Sequence, residues 1–100
     1  MIALLADIEN TALNVLQRYP IKRAAFFGSA ARGEMTENSD VDMLVEFLPD
    51  AGGILFFGLQ ADLEEAFDCH VDLITFYGLS KAKPSFKEAV VKDTRIIYER

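Results

Sequence analysis

Two aspartates stand where an apolar strand least tolerates them. Asp42 interrupts Val41–Leu48, which reads Val-Asp-Met-Leu-Val-Glu-Phe-Leu, and Asp72 interrupts Val71-Asp72-Leu73-Ile74-Thr75-Phe76. The first run is too apolar for a half-exposed strand, so it is expected to lie centrally in a sheet covered on both faces. A carboxylate inside such a strand is disfavoured by propensity and by desolvation, and so it needs a partner. Asp40 precedes Asp42 by two residues. Because side chains on a strand alternate faces, both carboxylates fall on one side, about 7 Å apart at ~3.3 Å per residue. Like charges held that close are costly unless a metal or another cation neutralises them. If the strand of Asp72 lies beside the strand of Asp42, a third acid reaches the same place.

Twelve residues before Asp40, the small-residue turn Gly28-Ser29-Ala30-Ala31 comes straight off the apolar run Arg23–Phe27. Glycine there permits a positive φ or a close backbone approach. Ser29 to Arg32 is expected to open a short helix whose free N–H groups, with the Ser29 hydroxyl, suit phosphate oxygens. Arg32 either reaches a phosphate or pairs on the surface with Glu34 or Glu37. No Gly-Lys-Ser/Thr follows, so the turn is not a Walker A loop, and it is not G-x-G-x-x-G either. A phosphate cradle followed by paired carboxylates is the chemistry of nucleotide handling.

The segments Gly28-Ser29-Ala30-Ala31-Arg32-Gly33 and Ser39-Asp40-Val41-Asp42-Met43-Leu44-Val45 resemble the signature of the DNA polymerase β-like nucleotidyltransferase superfamily, specifically its minimal members. The resemblance runs from Ile21 to the C-terminus, and the N-terminal helix also fits. It implies an α/β (α+β) nucleotidyltransferase fold with a small mixed sheet flanked by helices. It also implies that Gly28 and Ser29 hold a nucleoside triphosphate, ATP by expectation, and that the third carboxylate is Asp72. Asp40 and Asp42 would hold one Mg²⁺ or Mn²⁺ ion, and all three acids a second. In such two-metal sites one ion activates the acceptor hydroxyl and the other stabilises the leaving pyrophosphate. Minimal members commonly accompany a small all-helical HEPN protein, to which they transfer AMP as antitoxin of a toxin–antitoxin pair. The alternative is a non-catalytic nucleotide-binding module that neutralises its partner by contact.

Composition narrows the field further. The formal net charge of −6 argues against an extended nucleic-acid surface. No apolar run approaches the ~20 residues needed to span a bilayer. The start, Met1–Asp7, lacks a basic region and meets acid at once, unlike a signal peptide. One cysteine, Cys69, and one histidine, His70, exclude an intramolecular disulfide and a zinc cluster. The expectation is one cytoplasmic domain over residues 1–100, with no linker and no second domain to bring an acceptor.

Around the site, periodicity predicts helices over Leu4–Tyr19, Ile54–Phe67 and from Lys83-Pro84 onward, with strands over Lys22–Phe27 and Arg95–Tyr98. Phe86, Ala89 and Val90 are expected to pack inward. Leu55, Phe56, Leu59, Leu63, Ala66 and Phe67 form the expected core face of the middle helix, while Gln60, Asp62, Glu64 and Glu65 face water. Ile54, Phe57 and Ala61 fall together on another side, a candidate dock for a partner chain or a second copy; the rival is that an irregular first turn tucks Ile54 or Phe57 into the core. His70 reads as a strand-end histidine, and Cys69 as a small turn residue without a nucleophilic task.

Overall fold

The computed structural model describes residues 5–35 and 39–100, with the side chains of Leu5 and Ala6 left undescribed. Leu4 and Glu37, each given a place in the sequence reading, lie outside these residues. The order is α1 (Leu5–Leu16), β1 (Ile21–Phe27), α2 (Gly28–Arg32), β2 (Val41–Phe47), α3 (Ile54–Phe67), β3 (Val71–Thr75), α4 (Phe76–Ser80), α5 (Pro84–Lys92) and β4 (Arg95–Glu99).

The strands form one mixed sheet in the order β3-β2-β1-β4. β1 pairs antiparallel with β2 and with β4, and β2 pairs parallel with β3. Parallel neighbours need a long crossover, and the fourteen residues of α3 supply it. β2 therefore lies inside the sheet, as its apolar run required, and β3 is an edge strand directly beside it.

Strand alternation divides the interior into two layers. Ala24, Phe26, Val41, Met43, Val45, Val71 and Leu73 point to a first face, which α1 covers with Ile8, Ala12, Val15 and Leu16 and α3 covers with Leu59 and Leu63. Ala25, Phe27 and Leu44 point to the second face, where the cover is thinner, chiefly Leu79 of α4 and Val90 of α5. The two helices of the first face are pinned together by the Tyr19 hydroxyl, which donates to Asp62.

Several expectations need correction. Of the predicted inward residues of α5, only Val90 is buried; Ala89 is exposed and Phe86 is 41% exposed. Phe86 meets Phe27 edge-on (centroids 6.5 Å apart, planes at 85°), a contact at the margin of the sheet that leaves much of the ring in water. On α3, Leu59 and Leu63 are fully buried and Leu55, Phe56 and Phe67 half-buried, but Ala66 is exposed. Gln60, Asp62 and Glu64 are half-buried, not solvated, because each is hydrogen-bonded to the fold. The first turn of α3 is closed by i→i−3 bonds, the Leu55 and Phe56 N–H groups donating to the Gly52 and Gly53 carbonyls (3.1 Å each), and it does not turn Ile54 or Phe57 inward. Ile54 and Phe57 accordingly stay out of the core, 80% and 69% exposed. The sequence reading also missed α4. Thr75 ends β3 by capping it, its hydroxyl accepting from the Gly78 N–H at 2.8 Å.

Candidate active site

The site forms where β1 ends and β2 begins. Phe27 closes β1 opposite Asp42 of β2, so the two share the second face. Gly28 follows with φ +64° and opens α2. A Cβ at this position would stand 2.6 Å from Asp42 Oδ2. Glycine is required twice over, by its backbone angle and by the carboxylate lying against it. Ser29, next in the chain, is half-buried in the first turn of α2, which begins without a side-chain cap.

Asp42 and Asp72 are register partners across the parallel pair β2/β3, so both carboxylates leave the sheet on the second face. Asp42 is half-buried; Asp72 is exposed, and so is Asp40, just ahead of β2. Burial raises the pKa of Asp42 above the ordinary carboxylate value, and the charges of Asp72 and Asp40 raise it further. His70 and Arg32 act in the opposite sense. All four groups therefore lie within electrostatic reach of the Asp42 carboxyl.

Among the described residues, no three His, Cys, Asp or Glu side chains are gathered closely enough to hold a metal ion together. Three carboxylates without a neutralising charge repel one another. The donor set is nonetheless that of a hard divalent cation. It is oxygen only, it is presented at the heads of adjacent strands, and an adjoining glycine leaves room that any side chain would fill.

The other candidates have different surroundings. Arg32 Nη1 donates to Asp93 Oδ2 at 2.7 Å, and Nε lies 3.3 Å from Glu34 Oε1. His70 Nδ1 lies 3.0 Å from Glu64 Oε2, so a carboxylate holds the ring. Burial, first among several causes, pushes the Cys69 thiol above its ordinary pKa, which suits no nucleophile.

Two contributors escaped the sequence reading. Gln60 Nε2 donates to the Val71 carbonyl (3.0 Å), and the Val71 N–H donates to Glu64 Oε2 (3.1 Å). β3 is an edge strand, and these α3 side chains bond the backbone of its first residue, immediately before Asp72. The i,i+4 spacing of Gln60 and Glu64 was the available signal. Asp93, partner of Arg32 from 61 residues away, left none.

Comparison with known proteins bears on this arrangement. The nucleotidyltransferase domain family matches residues 8–97. A candidate protein adenylyltransferase of Methanocaldococcus jannaschii is 32% identical over 87% of this chain and 90% of its own. The protein adenylyltransferase MntA of Thermococcus cleftensis is 34% identical over 76% of this chain and 70% of its own. Among solved structures, a candidate minimal nucleotidyltransferase superposes with a TM-score of 0.70 at 27% identity, covering 93% of this chain and 95% of that one. A toxin–antitoxin structure with AMP-PNP superposes equally well, at 26% identity over 92% of this chain and 73% of that one. A carboxylate pair in register beside a glycine-opened helix, on a fold shared along nearly its whole length, makes this chain a member of the nucleotidyltransferase domain family, of its minimal kind.

Proposed function

We propose that this chain is a metal-dependent adenylyltransferase that moves AMP from ATP to a hydroxyl of a partner protein, as the cytoplasmic antitoxin of a HEPN-type toxin–antitoxin pair. The observation that carries the reading is the in-register Asp42–Asp72 pair against Gly28. The adenylyltransferase relatives and the toxin–antitoxin structure with AMP-PNP support the substrate and the partner.

In this reading residues 1–100 act as one nucleotidyltransferase domain. Gly28 and Ser29 receive the triphosphate, with Arg32 at its edge. Asp40, Asp42 and Asp72 would hold the Mg²⁺ or Mn²⁺ ions, two by expectation, and the chemistry these would supply is charge neutralisation for the pyrophosphate and a lowered pKa for the acceptor hydroxyl. Asp72, exposed on the open side of the face, orients the hydroxyl and takes its proton. The hydroxyl oxygen bonds to the α-phosphorus, the bond from that phosphorus to the β-phosphate bridge breaks, and pyrophosphate leaves. Positioning and charge neutralisation do most of the work.

Incubation with α-labelled ATP, Mg²⁺ and a HEPN-type partner protein tests it. Label is expected on the partner with wild type and not with Asp42→Asn or Asp72→Asn; equal labelling by Asp42→Asn overturns it. An antitoxin acting by contact alone is favoured by one observation, the exposed Ile54 and Phe57. Neutralisation undiminished in Asp42→Asn supports that second reading.

A further inference from the structure

Arg32 ends α2, and the left-handed Gly33 after it (φ +70°) folds the chain back. The Gly33 N–H bonds the Ala30 carbonyl (3.3 Å), and the Glu34 N–H bonds the Ser29 carbonyl (2.9 Å). The backbone of the turn is thus closed locally, whereas the guanidinium is gripped from the far end of the chain by Asp93 at 2.7 Å. Asp93 is well placed to grip it. Its side chain is 27% exposed, against 63% for Glu34 on the other side of the fork.

The turn that carries Asp93 is itself anchored. The Asp93 N–H and the Thr94 hydroxyl both donate to the Val90 carbonyl, at 3.1 and 2.6 Å. Arg95 Nε, two residues on, pairs with Glu9 Oε1 of α1 at 2.6 Å. A carboxylate on a clamped turn can hold an arginine in one orientation, which a freely solvated one cannot. Arg32 ends the same short helix that Gly28 opens against Asp42, so the held guanidinium belongs to the rim of the acid site.

We propose that Asp93 is a positioning residue: it holds Arg32 at the rim of the acid site, with the guanidinium set to meet the triphosphate. The proposal rests on the reading of this site as nucleotide-binding. An arginine already ordered in the free protein loses little rotamer freedom when phosphate arrives, whereas a loose one must be ordered at that moment. An ordinary surface ion pair contributes little to stability and nothing to ligand affinity, so the two roles separate experimentally.

The test is calorimetric titration of AMP-PNP with Mg²⁺ into wild type, Asp93→Ala, Asp93→Glu, Arg32→Ala and the double variant Arg32→Ala/Asp93→Ala. Asp93→Ala is expected to weaken binding about 5- to 20-fold. Asp93→Glu should recover most of that loss, and the double variant should bind no more weakly than Arg32→Ala alone. Losses that add in the double variant overturn the proposal, because Asp93 then acts independently of Arg32. Weakened binding in Arg32→Ala with unchanged binding in Asp93→Ala overturns it while leaving the nucleotide reading intact. Unchanged binding in Arg32→Ala removes the arginine from the site, and absence of AMP-PNP binding by wild type removes the reading beneath it. Should Asp93→Ala unfold, Asp93→Asn keeps the volume, loses the charge and carries the same comparison.

Discussion

The carboxylate of Asp42 occupies the space in which a Cβ on Gly28 would lie, 2.6 Å from its Oδ2. Turn and acid are one steric unit, so a change at either is felt at both. Gly28→Ala adds this clash to a backbone angle that L-residues disfavour by about 1–2 kcal/mol. The unfolding free energy from chemical denaturation should fall by at least that cost, and nucleotidyl transfer should fall with it. An alanine variant of wild-type stability and activity contradicts the fit.

Stability without metal should depend on pH in a defined direction. The folded-state pKa of Asp42 lies above its ordinary value of 3.8. Above 3.8, and up through that raised value, the native state binds more protons than the unfolded chain, so stability falls as pH rises. It levels off once Asp42 is ionised in both states. In chelator, Asp42→Asn should remove this descending limb and be more stable than wild type at neutral pH. A wild-type curve that rises over that window contradicts the assignment.

Added Mg²⁺ or Mn²⁺ should reverse the order, because a cation that binds only the folded acids stabilises by mass action. At a hundredfold excess over Kd the gain is about 2.7 kcal/mol. For a chain of this length each kcal/mol raises Tm by roughly 4–8 °C. Asp42→Asn should lose most of the response, and equal shifts in the two proteins place the cation elsewhere.

Gln60 and Glu64 test whether the edge strand is held from α3. Replacing either with Ala leaves a backbone group of Val71 without its side-chain partner, at a cost of about 1 kcal/mol. Amide hydrogen exchange should quicken in β3, and transfer should slow through a displaced Asp72. Unaltered exchange there shows that pairing with β2 suffices.

Phe57→Glu should leave the unfolding free energy within about 1 kcal/mol of wild type, since the ring is 69% exposed. Pull-down of the partner protein, or sedimentation for self-association, should show the loss. A collapse in stability instead makes Phe57 part of the core.

Much of this was legible in the sequence because the anomalies were local. An aspartate in an apolar strand declares itself, but that Asp42 and Asp72 sit on neighbouring strands was only a condition until the parallel pairing of β2 with β3 met it. Ile54 and Phe57 were readable because helical phase alone assigns a face. What escaped was set by tertiary contact. Of the partners of Arg32, Glu34 was expected from its nearness in the chain, but Asp93 is 61 residues distant, and no spacing rule reaches that far. Phe86 looked like core because it is apolar and in phase, yet it meets Phe27 edge-on and stays 41% exposed. The helix Phe76–Ser80 was hidden because Thr75 both ends a strand and caps the turn that follows, and the strand pattern was read through it.

The sheet separates α3 from the acids. Leu59 and Leu63 seat that helix on one side, while Asp42 and Asp72 open on the other. A chain docked on Ile54 and Phe57 therefore stands behind the reaction, not in front of it, and cannot hand its own hydroxyl forward without reaching round the sheet edge. A partner held at Ile54 and Phe57 would leave the acid face open to solvent.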